Sequence, residues 1–368
     1  MKLLNIERDT LLKPLQAVSG IVERRHTLPI LSNVLLEIAD SELNLLATDL
    51  EIQVATKASL DKSANAQAIT VSARKLQDIL RSLPDAATVS LETQESKLVL
   101  RAGKSRFNLQ MLPAEDFPRL AQGTGEVATV SVAQKNLKRM LQLVQYAMAQ
   151  QDIRYYLNGL LLLVDANKLT LVATDGHRLA CISATLDEKQ PRAEAILPRK
   201  AVLELVKLLG DTDDVVELQI QQNQVRSHFG SVDLLSKVVD GKFPDFTRVI
   251  PSNPPSRFVI TRTELQQALQ RASILSNEKF RGVRWVLTKD MLRIVCTNAE
   301  QEEAEEELEI DYSGEPLDIG FNVTYLLDVL NNLSSDQVEC ALGDANSSML
   351  ITVPGDENFK YVVMPMRI

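Results

Sequence analysis

Six stretches of the chain place an apolar residue at i, i+3, i+4 and i+7. Leu11, Pro14, Leu15 and Val18 recur as Leu137, Met140, Leu141 and Val144, and again as Leu265, Ala268, Leu269 and Ala272. A second series reads Leu76, Ile79, Leu80 and Leu83, then Val202, Leu205, Val206 and Leu209, then Leu326, Val329, Leu330 and Leu333. This spacing gives each of six predicted helices one apolar stripe. Between the helices, short apolar or alternating runs bounded by turn residues predict strands. In the first third, Asp9 or Thr10 caps a helix from about residue 11 to 18, with Gly20 at its end. Pro14 then falls in its first turn or so, where a missing N–H is harmless. Ile30–Ala39 and Leu43–Thr48 read as a hairpin joined by Asp40-Ser41-Glu42, and Gln53–Ala58 and Ala68–Val71 continue as strands. Ser72 caps the second helix and Pro84 stops it. Val89–Glu92, Lys97–Arg101 and Phe107–Met111 follow as strands.

The same order of elements occurs three times. LNLLATD (43–49), LTLVATD (169–175) and LRIVCTN (292–298) lie 126 and 123 residues apart. Phe117-Pro118 returns as Phe243-Pro244, and Met364-Pro365 stands at the corresponding end of the third copy. The period is far longer than the roughly 20–50 residues of solenoid repeats, so each copy reads as a whole domain. The predicted fold is α+β, with domains at 1–126, 127–254 and 255–368, each with two helices backing antiparallel sheet.

Charge refines this picture. A formal net charge of −9 argues against nucleic-acid binding through the whole surface. Segments 74–82, 135–149 and 199–209 nevertheless carry nine bases against two acids, on helices of successive repeats. Side by side, their polar faces would offer sequence-independent contacts to phosphates. The acids gather in Glu300–Asp311, which holds eight. A row of sheet domains leaves an unpaired edge at each end. The first repeat offers Lys97, Arg101, Lys104 and Arg106 around a strand with Phe107 and Leu109. The third offers Ile274 and Leu275 and an acidic run, Glu302 to Glu307, read as a tethered loop facing a basic partner. Contact between first and third repeats, made twice, closes a two-fold ring of six domains.

Little in the chain suggests catalysis. His26, His177 and His228 lie in unrelated contexts, and no HExxH, GxSxG or Walker loop occurs. Asp175-Gly176-His177 lacks a nucleophile; Asp49, Asp175 and Asn298 read as turn residues after a strand. No cofactor or metal is expected. Cys181, Cys296 and Cys340 lack CxxC spacing and read as buried thiols of a reducing cytosol. The start MKLLNIERDT has no signal-peptide core and Leu160–Val164 is too short to span a bilayer, so the expectation is a cytoplasmic protein without membrane contact. A triplicated scaffold that binds peptides and no nucleic acid is the alternative to a ring whose basic helices contact phosphates.

Two features belong to single repeats. Only the second copy continues its phrase as Gly176-His177-Arg178-Leu179, and the chain ends on an apolar, Met-rich tail. KPLQ (13–16), TLPIL (27–31), QDIRYYLNG (151–159), ATDGHRLA (173–180), ILSNEKFRGVR (274–284), EQEEAEE (300–306) and YVVMPMRI (361–368) resemble the β sliding clamp family of bacterial DNA polymerase III, over essentially the whole chain.

The resemblance implies a head-to-tail homodimeric ring around duplex DNA that tethers the replicative polymerase. The polymerase, the clamp loader and other replication and repair proteins would insert short linear peptides into a pocket. That pocket would comprise Leu157, Thr174, Gly176, His177, Arg178, Leu179, Pro244, Arg248, Val249, Ser348, Val362, Val363, Met364, Pro365, Met366 and Arg367. Leu179, Val249, Val362 and Met364 would hold apolar side chains, Arg178 and the Gly176 backbone would supply polar anchors, and Tyr156 with Met366 would gate the groove. Arg25, Gln151, Tyr155, Tyr156 and Lys200 would touch DNA. Lys75, Lys97, Lys104, Arg106, Phe107 and Leu109 would meet Ile274, Leu275, Glu300, Glu302, Glu303, Glu305 and Glu306 across the dimer interface. Lys97 and Lys104 stand where the family commonly has arginine, and Ile368 replaces its usual terminal leucine.

Overall fold

A computed structural model describes residues 2–23, 27–121, 123 and 127–367. The first repeat runs β1 (Lys2–Glu7), α1 (Arg8–Ser19), β2 (Asn33–Thr48), β3 (Ile52–Ser72), α2 (Ala73–Ser82), β4 (Thr88–Gln94), β5 (Lys97–Ala102) and β6 (Ser105–Leu112). The second runs β7 (Ala128–Ala133), α3 (Gln134–Val144), β8 (Gly159–Thr174), β9 (Arg178–Pro198), α4 (Arg199–Leu208), β10 (Val215–Ile220), β11 (Gln224–Phe229) and β12 (Val232–Lys237). The third runs β13 (Ser256–Thr261), α5 (Arg262–Ala272), β14 (Gly282–Thr288), β15 (Met291–Thr297), β16 (Glu303–Glu309), β17 (Leu317–Asn322), α6 (Val323–Asn332), β18 (Gln337–Leu342), β19 (Met349–Val353) and β20 (Asp356–Val363). No helix among the described residues is long and apolar enough to cross a membrane.

The helices lie where the apolar spacing puts them, and most stripe residues are buried. Pro14, Ile79, Leu83 and Val206 are half-buried. The first helix of each repeat starts against the carbonyl of a distant loop. Arg8 N donates to Ala87 O at 2.8 Å, Gln134 N to Asp214 O at 2.9 Å and Arg262 N to Asp336 O at 2.8 Å. That contact satisfies an N–H otherwise orphaned at a helix start. It also explains why α1 begins at Arg8, ahead of the expected Asp9 or Thr10 cap, with no side-chain cap at Glu7. Pro14 consequently sits in the second turn, and the Thr10 carbonyl lacks an i+4 donor. Ser72 does cap α2, accepting from Lys75 N at 3.5 Å.

Residues Pro29–Ser32 form a 3-10 turn, which Pro29 favours at its first position, so the strand expected from Ile30 starts at Asn33. The expected pair of strands joined at residues 40–42 is one extended span, β2. Its middle is exposed, Asp40 has φ +52°, and the pairing with β3 shifts register on either side of it. In the third repeat β14 and β15 form a separate hairpin, closed from Thr288 to Met291 across Lys289-Asp290.

Contacts divide the chain into two compact units that cut through the second repeat. One holds Met1–Lys138 with Leu203–Val238, the other Arg139–Val202 with Val239–Ile368. The cause is that the sheets run across repeats. In the first unit, β12 of the second repeat pairs antiparallel with β3 of the first, from Ser236↔Ile52 to Val232↔Thr56. In the other, β20 of the third repeat pairs with β9 of the second, from Val363↔Arg178 to Phe359↔Ile182. The first unit thereby holds a ten-stranded sheet in the order β1-β4-β5-β6-β3-β12-β11-β10-β7, with β2 on β3. The second holds a six-stranded sheet, β13-β18-β19-β20-β9-β8, and a four-stranded one, β16-β15-β14-β17.

Two strands have an open edge. Among the described residues β16 is bonded only to β15, and β6 over residues 105–110 only to β5. The acidic run is therefore an edge strand, not the expected loop. Its alternation leaves Glu303, Glu305, Glu307 and Glu309 exposed while Leu308 is buried. Glu306 is already held by Arg271 through contacts of 2.8 and 2.5 Å, and Glu305 lies 3.6 Å from Arg293.

The helical bases are also less free than the sequence implies. Lys135 and Lys138 pair with Asp213 and Asp211 at 2.7 and 3.0 Å, Arg74 lies 3.7 Å from Asp78, and Lys207 lies 3.1 Å from Glu204. Acids brought in from the 211–214 loop thus offset part of the expected positive surface. The exposed pairs among them, Arg74–Asp78 and Lys135–Asp213, are weak and salt-screened.

Candidate peptide-binding cleft

The β9–β20 pairing brings the sequence-unique parts of the second and third repeats together. Met364 N donates to His177 O at 2.9 Å, which seats the tail beside the turn that joins β8 to β9. That turn is held by its own side chains. Thr174 Oγ1 donates to Arg178 O at 2.6 Å and accepts from Gly176 N at 3.1 Å, while Asp175 Oδ1 accepts from His177 N and Arg178 N at 2.9 and 3.0 Å. Gly176 has φ +88°, and a Cβ there would come within 3.1 Å of the Arg154 guanidinium. Both constraints favour glycine.

Next to this turn is a cavity of about 290 Å³. Leu157, Leu179 and Val362, each buried, line it, with the rings of Tyr156 and Phe246 and the residues Pro244 and Thr174. Val249 and Met364 stand at 41% and 43% exposure, so apolar surface is left in contact with water. Beneath it Leu179 and Val362 join Leu161, Val172, Cys181, Ile196 and Phe243 in one buried cluster. An apolar recess with few polar groups suits an apolar side chain presented by a ligand.

The polar members behave differently from one another. Arg178 is 10% exposed and spent within the fold: Nε donates to Asp175 at 3.1 Å, Nη1 to Asp328 at 2.5 Å and Nη2 to Tyr146 O at 2.6 Å. Its guanidinium also lies 4.4 Å from the Tyr325 ring centroid and 5.7 Å from that of Tyr146. Burial opposes its charge, but Tyr361, Asp328 and Asp175 outweigh that and raise its pKa. Arg178 is therefore a strut of the cleft wall, its donors engaged by the fold while it still lines the cavity. The charged group that faces the opening is Arg154, whose side chain is 45% exposed. Asp152 steers it through contacts of 3.0 and 2.8 Å, and those hydrogen bonds hold the Asp152 carboxyl down at about 2.

Nine of the residues expected in a peptide pocket line this cavity, and Tyr156, expected at a gate and on DNA, forms part of its wall. His177, Arg248, Ser348, Pro365, Met366 and Arg367 do not line it. Arg248 reaches away to Asp245 at 2.9 Å, and Met366 N is bonded to Gly320 O at 2.8 Å. Nor does Val363 line the cavity: it is fully buried and, one residue on from Val362 along β20, points to the opposite face. Arg154 and Phe246 were missed. The available signals were modest: Arg154 is the sole base between residues 150 and 158, and Phe246 is an aromatic just past Phe243-Pro244.

Among the other expected contacts, Tyr155 is 73% exposed, as Ile153 beside it is at 89%, on a turn that includes Gln151. Ile274 is 78% exposed with Leu275 half-buried beside it. Lys75, Lys97, Lys104, Arg106, Glu300, Glu302 and Glu303 are exposed, Phe107 and Lys200 are half-buried and Leu109 is buried. Arg25 lies outside the described residues.

A triplicated α+β chain whose sheets continue from repeat to repeat, with an apolar recess beside one repeat's turn, has the architecture of a clamp-type protein. Comparison with known proteins agrees. Residues 1–121, 131–245 and 247–367 match the N-terminal, central and C-terminal domains of the DNA polymerase III beta subunit. The beta sliding clamp of Pseudomonas putida is 48% identical over 364 residues and that of Escherichia coli 46% over 363, each covering 99% of both chains. A crystal structure of the DNA polymerase sliding clamp from Pseudomonas aeruginosa with ligand matches with a TM-score of 0.96 at 46% identity over the full length of both chains. A second from that organism, bound to griselimycin, matches with a TM-score of 0.96 at 47% identity, again over both full lengths. The chain belongs to the beta-subunit family of DNA polymerase III, the sliding clamps that confer processivity on replication and catalyse no reaction themselves.

Proposed function

We propose that two copies pair head to tail, β6 of one on β16 of the other, to close a ring around duplex DNA, and that the cleft takes short linear peptides of the replicative polymerase, the clamp loader and other replication and repair proteins. The observation that carries the ring is the pair of unbonded strand edges on the first and third repeats, one flanked by Lys97, Lys104 and Arg106, the other by exposed glutamates. Pairing satisfies the N–H and C=O groups of both edges. Covering Ile274 and Leu275 supplies apolar burial at about 25 cal/mol per Å². The charges set orientation and encounter rate more than affinity. Retention on DNA then rests on topology, so an acidic chain of net charge −9 needs only weak, sequence-independent contacts from Gln151, Tyr155, Lys200 and the helical lysines. For the cleft, the support is the juxtaposition of buried apolar floor, exposed Val249 and Met364, and one exposed guanidinium. Methionine adapts cheaply to different apolar partners, which suits several competing peptides. The protein would act in the cytoplasm.

Encirclement is tested by loading the protein onto a nicked circular plasmid with its clamp loader and gel-filtering before and after linearisation. The expected result is retention on the circle and loss from the linear form. Equal retention on both would mean adhesion and would overturn the ring.

A further inference from the structure

Beside the cleft, and sharing Pro244 and Phe246 with it, runs a larger groove of about 1030 Å³. Cleft and groove lie over one face of the β8-β9-β20 sheet. Strand alternation puts Leu179, Cys181 and Ser183 of β9 on the face shared by Val362 and Lys360 of β20, and Thr170 and Lys168 of β8 continue it. The face turns from apolar to polar along its length. Leu179 and Val362 underlie the cleft, whereas the groove meets the Thr170–Ser183 hydroxyl pair, 3.1 Å apart, and the two lysines.

The charges of the groove are unevenly matched. Arg192 lies 3.1 and 3.5 Å from Asp165 and Glu194, and Arg248 lies 2.9 Å from Asp245. The lining carries four bases and four acids, but Arg192 is shared by Asp165 and Glu194 and Asp245 is taken by Arg248 from outside the groove, so among the described residues Lys168, Lys242 and Lys360 enter no ion pair, and neither does Glu357. The first repeat closes the equivalent place. There Glu37 and Arg119 form an ion pair at 2.5 Å; 126 residues on, their counterparts are Leu163 and Asp245, which cannot pair.

We propose that this groove receives an extended, acidic continuation of the peptide that occupies the cleft, its carboxylates facing Lys168, Lys242 and Lys360. The inference rests on the cleft reading above. Apolar residues of the continuation would lie on Phe246 and Leu163, in line with the mixed lining. Exposed lysine–carboxylate contacts are individually weak and salt-screened, so the groove adjusts affinity among partners and leaves the cleft as the main anchor.

The test uses three fluorescent peptides from the clamp-binding segment of the organism's own polymerase: the bare segment, and the segment with a short run of glutamates added at its N- or its C-terminus. Each is titrated into the full-length protein by anisotropy. One extended form should bind about fivefold tighter than the bare peptide at low salt, with the gain fading at high salt. The triple variant Lys168→Ala/Lys242→Ala/Lys360→Ala should abolish that gain and leave the bare peptide's affinity unchanged, with an unaltered melting curve. Equal binding of all three peptides, or a gain that survives the triple variant, would overturn the proposal while leaving the cleft reading intact. Failure of the bare peptide to bind would defeat both.

Discussion

Residues 48–53 and 174–179 fold into turns with the same hydrogen bonds, yet their surroundings differ. In the first repeat Thr48 Oγ1 donates to Ile52 O at 2.9 Å and accepts from Leu50 N at 3.1 Å, while Asp49 Oδ1 accepts from Glu51 N and Ile52 N at 2.9 and 2.7 Å. The second repeat copies that pattern through Thr174 and Asp175. A strand of the following repeat docks alongside each: Lys237 N reaches Glu51 O at 2.9 Å, as Met364 N reaches His177 O at 2.9 Å. What differs is the set of side chains mounted on the shared frame. Gln53 accepts from Leu120 N at 2.9 Å and Lys237 Nζ bridges to Glu51 at 3.1 Å, so the first site is crossed by its own polar contacts. At the matching positions the second site has Leu179, Phe246, Met364 and His177, and the first three line an apolar recess. Backbone and surface chemistry are therefore separable here: the turn is structural in both repeats, and a handful of substitutions leaves an apolar recess beside one of them.

The most direct way to break this contrast is to write the first repeat's residues into the second. Leu179→Gln with Met364→Lys should weaken binding of a polymerase peptide by at least about a hundredfold, since each lost apolar contact is worth about 1.5–3 kcal/mol. Anisotropy would measure it, and the dimer should persist by light scattering. Arg178 provides the next largest effect. Its first-repeat counterpart is Ile52, so no shared requirement of the turn explains it. Arg178→Ala leaves Asp328 and Asp175 without their cation and should cost about 3 kcal/mol in denaturant unfolding. A peptide-binding defect at unchanged stability would instead restore Arg178 as a ligand contact.

The smallest effect concerns the residue pair Ala55 and Cys181. Burial pushes the Cys181 thiol up to about 11 from its ordinary 9.0, although Lys360 and Lys168 pull the other way. The fold thus favours the neutral thiol. That contribution is complete below pH 9 and is lost as pH rises through 11. Alkylation of native protein should accordingly be very slow at neutral pH, and Cys181→Ala should make the alkaline decline in stability shallower. Rapid neutral-pH labelling of Cys181 would contradict the burial argument.

Local spacing revealed the six helices and the triplication because each signal lies within a few residues of itself. The uniqueness of Gly176-His177-Arg178-Leu179 and of the Met-rich tail likewise pointed to the cleft. Long-range pairing was invisible. Nothing near Arg178 announces Asp328, and nothing in 135–149 announces the aspartates at 211 and 213 that take up Lys138 and Lys135. Block charge suggested a loop for Glu302–Glu307, whereas β15 supplies a partner that makes it an edge strand. The helix start at Arg8 escaped notice for the same reason, because its first N–H is satisfied by Ala87.

Hydrogen–deuterium exchange with and without the polymerase peptide tests the contrast most directly. Exchange should slow at residues 174–179 and 362–366 and stay unchanged at residues 48–53 and 235–238. Protection at the first-repeat turn, or at neither turn while the peptide is bound, would contradict it.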